Sequence, residues 1–97
     1  LFPEEREEHI NKWLHTNNIW LQRSALLFQL KYKDKMDLAL LVKCIHHLLG
    51  SVEFFINKAI GWVLREYSRT DPIWVQEFVN DTALSPLSKR EALRLIS

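Results

Sequence analysis

Glycine and proline are scarce in this chain, at two and three of 97 residues, and cysteine occurs once. So few turn formers argue against a fold of many short strands and point to helices. A lone Cys44 excludes an internal disulfide and fits a reducing compartment. No apolar run reaches the roughly 18 residues of a membrane span, and no signal peptide is recognisable. A soluble, cytosolic protein is the expectation. Net charge is only +1, so bulk charge does not announce a nucleic-acid partner.

What is present is apolar and aromatic. Hydrophobic residues make up 47% of the chain, enough for a core, although one of this size stays modest. Four Trp is a high count, and at least one is a candidate for contact rather than packing. Charge is uneven. Acid gathers at Glu4, Glu5, Glu7 and Glu8, and base at Lys12, Arg23, Lys31, Lys33 and Lys35 against Asp34. Such asymmetry marks either an anionic partner or an ordinary solvated surface.

The pattern predicts an all-α chain of six helices. The first covers residues 3–15, with Pro3 at its first position and glutamates at the positive end of its dipole. The second runs from an Asn18 cap to Tyr32. The third covers residues 37–49 and stops at Gly50. The fourth runs from a Ser51 cap to Arg69. The fifth begins at Thr70-Asp71-Pro72 and ends near Asn80. The last begins at Ser88, which forms a capping-box pattern with Glu91. Short connections predict antiparallel pairing of neighbours.

"WLQRSALLFQLKY" (Trp20 to Tyr32) aligns without gaps on "FINKAIGWVLREY" (Phe55 to Tyr67), an offset of 35 residues. Trp20 matches Phe55, Arg23 matches Lys58, and Tyr32 matches Tyr67. A period of this length built from helix pairs predicts an α-solenoid, each pair burying a face against the next. The first helix lacks a partner, so a piece of a longer array is expected.

On the fourth helix Phe55, Ile56, Ala59, Ile60, Val63, Leu64 and Tyr67 form a broad apolar arc. Lys58, Arg65 and Arg69 fall within a sector of roughly 40° at 100° per residue. Trp62 lies at the boundary. A cationic stripe with an indole beside it suits a phosphate backbone and a sugar or base. The plainer reading is a boundary Trp among solvated cations. Gly61 weakens the helix by roughly 1 kcal/mol relative to Ala. It admits either a neighbouring helix or a ligand backbone.

Arg23 falls between Leu27 and Leu30 in an apolar sector of the second helix, so it must snorkel, pair with a carboxylate, or face a partner. Sharing a register with Lys58, it is expected on the equivalent face of the preceding repeat. Lys89 and Arg90 follow the Ser88 cap, where free N–H groups suit a phosphate; plain surface charge is the alternative. Cys44 and His47 share a helix face with His46 adjoining, but two ligands make no zinc site, and no metal or cofactor is expected.

"NIWLQRSALLFQLKYK", "FFINKAIGWVLREYSRTDP" and "LSPLSKREAL" resemble the C-terminal part of the AlkD-like DNA alkylation repair family, bacterial glycosylases built from HEAT-like helical repeats. The resemblance covers nearly all of residues 1–97. It implies hydrolysis of the N-glycosidic bond of N3- and N7-alkylated purines in double-stranded DNA, by an enzyme that is monomeric as the full-length protein, cytoplasmic, and associated with the nucleoid when bound. Such purines already carry positive charge and leave as neutral bases. The family is thought to grip the backbone around the lesion without a base-binding pocket. Carried across by motif, the catalytic positions are Trp62, against the sugar-phosphate of the lesion, and Arg23, on a nearby phosphate. Lys58, Arg65, Arg69, Lys89 and Arg90 are the expected further DNA contacts. The family's Trp-Trp-Asp motif, with the catalytic Asp, is absent from this sequence; Asp34, Asp37, Asp71 and Asp81 do not stand in its context. The chain alone is expected to be inactive. The alternative is a non-catalytic HEAT-like scaffold that binds protein, with Trp62 as an interface anchor.

Overall fold

The computed structural model describes residues 3–28, 30 and 37–96, with side chains described from Glu8 onward. These residues form six helices and no strand: α1 (Pro3–Leu14), α2 (Ile19–Leu27), α3 (Leu38–Leu48), α4 (Phe54–Tyr67), α5 (Pro72–Asp81) and α6 (Pro86–Ala92). The protein is all-helical, as its few turn formers imply. The expected continuation of the second helix to Tyr32, the cations Lys31, Lys33 and Lys35, and Asp34 lie outside the described residues, as do the side chains of Glu4, Glu5 and Glu7.

Local chemistry sets most helix starts. Asn18 Oδ1 accepts from the Trp20 and Leu21 amides at 2.9 and 3.3 Å, and Asp37 accepts from Leu40 N at 3.1 Å. Asp71 accepts from Trp74 N at 3.0 Å with Pro72 next in line. Each satisfies a free amide of a first turn. Gly50, at φ 84°, ends the α3 region in a left-handed conformation that other residues rarely adopt.

Two helix starts differ from expectation. The fourth helix begins at Phe54, and its N-cap Glu53 makes no side-chain cap bond. Ser51 instead accepts from Glu53 N at 3.1 Å, forming a local turn before the helix. The last helix is capped by Ser85, whose Oγ accepts from Ser88 N at 3.1 Å, with Pro86 in the first turn. Ser88 is therefore inside the helix, and Lys89 and Arg90 lie in its last turn. The first-turn reason for placing a phosphate beside them is thereby removed.

Sequence neighbours are not the main packing partners throughout. α4 packs chiefly on α6 and α2, while α1 meets α2 and α3. The even-numbered helices thus form a row, an arrangement compatible with stacked helix pairs. The core is continuous, from Ile10 and Leu14 through Leu26, Leu41 and Ile45 to Ile56, Ile60, Leu64, Val75 and Val79. The apolar arc expected on α4 is buried except at Phe55, which is 45% exposed. Cys44 is sealed in this core, and burial pushes its thiol up to about 11. His46 and His47 are exposed, and His47 faces His15 at 4.8 Å between ring centroids. Among the described residues no helix is long and apolar enough to cross a membrane, and no group of three or more His, Cys, Asp or Glu is placed to hold a metal ion.

Candidate nucleic-acid interface

The repeat seen in the sequence brings its matching positions together. Trp20 of α2 and Phe55 of α4 occupy the same register, and their ring centroids lie 5.0 Å apart. One turn further along α2, the Arg23 guanidinium carbon sits 5.8 Å from the centroid of the Trp62 ring. That is cation–π range, where the ring quadrupole attracts the guanidinium. Arg23 is half-buried, and its described partner is this ring rather than a carboxylate. Trp62 is half-buried too, neither sealed inside nor free in solvent. Lys58, one turn before Trp62 on α4, is exposed. Arg23, Trp62 and Lys58 are thus assembled on one side of the α2–α4 pair.

Gly61 explains how α6 joins them. A Cβ built there would lie 2.5 Å from Glu91 Cβ, 3.1 Å from Ser88 O and 3.3 Å from Ser88 Cα. No side chain fits, so the two helices cross at this point, and the neighbouring-helix reading of Gly61 holds. Ser88 Oγ completes the crossing by donating to Asn57 O at 2.8 Å. The crossing carries Glu91 onto the cations of α4. Its Oε1 is 3.4 Å from Lys58 Nζ, and its Oε2 is 3.1 Å from an Arg65 guanidinium nitrogen. Arg94 adds a third contact at 3.6 Å.

The Glu91 side chain is only 10% exposed, so its charge would be costly without these partners. Burial pushes its carboxyl up. Lys58, by charge and by hydrogen bond, then Arg94 and Arg65, more than offset this and hold it below the usual carboxylate range. A depressed folded-state value gives stability that is complete above the unfolded pKa of about 4.3 and is lost as pH falls through the folded one. Thermal melting followed from neutral pH into acid should decline in that window. Glu91→Gln, which cannot titrate, should show a shallower acid slope; an unchanged slope would put the acid sensitivity elsewhere.

The remaining cations lie further out. Arg69, just past the end of α4, pairs with Glu66 at 3.0 Å, and Glu66 in turn reaches Arg65 at 4.0 Å. Lys89 and Arg90 are exposed. At 100° per residue they point roughly 160° and 100° away from Glu91, and so away from the crossing. Glu91 was hidden from sequence reading because it looked like the end of a capping box. The signal for it lay on α4, where Gly61 shares a face with Lys58 and Arg65. A glycine between two cations marks a close helix, and two cations under a helix call for a carboxylate. The Trp20–Phe55 contact was likewise implicit in the repeat alignment.

Comparison with known proteins gives this surface a context. The family model described as DNA alkylation repair enzyme matches residues 1–96. A search of curated proteins gave no match. Among solved structures, a predicted DNA alkylation repair enzyme from Enterococcus faecalis is 40% identical and superposes with a TM-score of 0.90. The similarity covers 97% of this chain and 44% of that one, so the chain spans less than half the length of its structural relative. Matched from end to end by the family model and in fold by a close relative, the chain belongs to the DNA alkylation repair enzyme family.

Proposed function

We propose that this chain supplies part of the DNA-gripping surface of a cytoplasmic glycosylase that excises N3- and N7-alkylated purines from double-stranded DNA. The observation that carries the reading is the Arg23 guanidinium over the Trp62 ring. The ring holds the guanidinium close to α4, and the guanidinium offers N–H donors in the fork that suits a phosphate. The indole offers an electron-rich face to a sugar that becomes positively charged as the bond breaks. An alkylated purine leaves as a neutral base, so the enzyme needs little acid catalysis and much charge stabilisation. The water-activating carboxylate belongs elsewhere in this reading. Asp37 and Asp71 are occupied as helix caps, and Asp81 is the exposed last residue of α5.

Arg23→Ala in the full-length protein is the direct test. DNA affinity should fall about tenfold, and the slope of log affinity against log salt should shrink by about one unit. Thermal stability should change little, because Arg23 is only half-buried and holds no described carboxylate. A large drop in melting temperature with unchanged DNA affinity would make Arg23 a packing residue.

One observation favours a second reading, a protein-binding scaffold with HEAT-like repeats. Trp20, Val52, Phe54 and Phe55 are all exposed, and the rings of Trp20, Phe55 and Phe54 touch in sequence at 5.0 and 5.4 Å. Exposed apolar clusters mark interaction sites. Salt-insensitive binding of a protein, without salt-dependent binding of DNA, would support that alternative.

A further inference from the structure

We infer that Glu91 sets the specificity of this surface by holding the Lys58 ammonium back from the DNA backbone. The inference rests on the DNA-binding reading above and adds a restraint to it. Glu91 serves Lys58, Arg65 and Arg94, and Glu66, already held by Arg69, reaches Arg65 only at 4.0 Å, so cations outnumber carboxylates here. Lys58 is the looser of the two partners on α4. It contacts Glu91 at 3.4 Å with a side chain 48% exposed, whereas Arg65 contacts it at 3.1 Å and is 23% exposed. Any phosphate that approaches Lys58 must compete with a carboxylate already in place.

That carboxylate cannot easily withdraw. The Gly61 crossing sets Glu91 Cβ against α4, and the Ser88 to Asn57 bond fixes α6 beside it. Each lysine that neutralises a phosphate adds about 0.9 to the salt slope of binding. A lysine already neutralised adds only part of that. Non-specific affinity is electrostatic and blind to sequence, and undamaged sites vastly outnumber lesions. Muting Lys58 lowers the grip on undamaged duplex and leaves discrimination to Trp62 and Arg23.

The test is a double-mutant cycle in the full-length protein, read as affinity for undamaged duplex DNA across a salt series. Unfolding curves confirm that each variant is folded at the assay temperature. Glu91→Gln should tighten binding roughly three- to tenfold at low salt and steepen the slope by nearly one unit. Lys58→Met should cost well under one unit of slope in the wild-type background and about one unit in the Glu91→Gln background. A Glu91→Gln protein that binds no tighter than wild type overturns the inference, as does a gain that survives Lys58→Met. Should Glu91→Gln fail to fold, Lys58→Met in the wild-type background still decides: loss of a full unit overturns it, and loss of a fraction supports it. Wild-type protein with no salt-dependent DNA binding overturns the DNA reading and this inference with it. Normal wild-type binding with an unmoved Glu91→Gln slope overturns this inference alone.

Discussion

Gly61→Val should lower the melting temperature by at least about 12 °C. Helix propensity does not decide this case. Alanine is better than glycine in a helix interior by roughly 1 kcal/mol, so on an open surface substitution of Gly61 would stabilise. Here the added carbon meets Glu91 Cβ at 2.5 Å and Ser88 backbone at 3.1 Å. None of these is the free end of a flexible side chain, so α6 itself must move. Overpacking of this kind costs about 1–3 kcal/mol for an added methyl group, and a branched side chain lies at or beyond the upper end. Moving α6 also strains the Ser88 to Asn57 hydrogen bond and the contacts of Glu91 with Lys58 and Arg65. For a domain of this size each kcal/mol shifts the midpoint by about 4–8 °C. Gly61→Ala should destabilise less, by up to about 2 kcal/mol after its propensity gain is counted. Scanning calorimetry checks both. A higher midpoint for the alanine variant would show that α6 yields freely and that the crossing is not close-packed.

On the proposed function, Trp62→Ala should reduce excision of alkylated purines by the full-length protein between about tenfold and a hundredfold. Loss of an aromatic platform against a nucleotide costs roughly 1–3 kcal/mol. The same change also frees Arg23, whose guanidinium lies 5.8 Å from the ring centroid, so two contributions fall together. Single-turnover base release at saturating enzyme separates loss of the chemical step from loss of binding. Because Trp62 is half-buried, its removal also weakens packing. Trp62→Phe controls for this: it keeps an aromatic face and most of the packed volume, and should retain much of the rate. Unchanged excision by the alanine variant would remove the indole from the site.

The two substitutions probe parts of the molecule that the sequence revealed unequally. Trp62 and Arg23 stood out because a boundary indole and a cation in an apolar sector are visible on single helices. Their meeting was not legible: the repeat alignment pairs Arg23 with Lys58 and Trp62 with Leu27, and the contact of Arg23 with Trp62 comes from the way α2 packs on α4. The helix count followed from periodicity and the Asn18 cap, and the structure adds caps at Asp37 and Asp71 at the starts expected for the third and fifth helices.

The start of α6 is ambiguous in the sequence for a local reason. "SPLSKRE" contains two overlapping cap patterns, Ser85 to Ser88 and Ser88 to Glu91, and Pro86 favours the first. Nothing within the segment shows that Glu91 is needed by α4. Phe55 completes the apolar arc of α4, but at the first turn of α4 that arc extends past the packed neighbours, and the half-exposed ring settles on Trp20. The side-by-side row of α2, α4 and α6 is likewise a property of distant pairs. Short connections favour contact between neighbours, and they do not set which contacts are largest.

The contact between Trp20 and Phe55 has a consequence for the shape of such a surface. The two rings sit at the rim of the α2–α4 seam, both partly exposed, while the buried residues beneath them hold the helices together. A change of ring size at either position should therefore alter the shape of the exposed face and leave the seam itself in place.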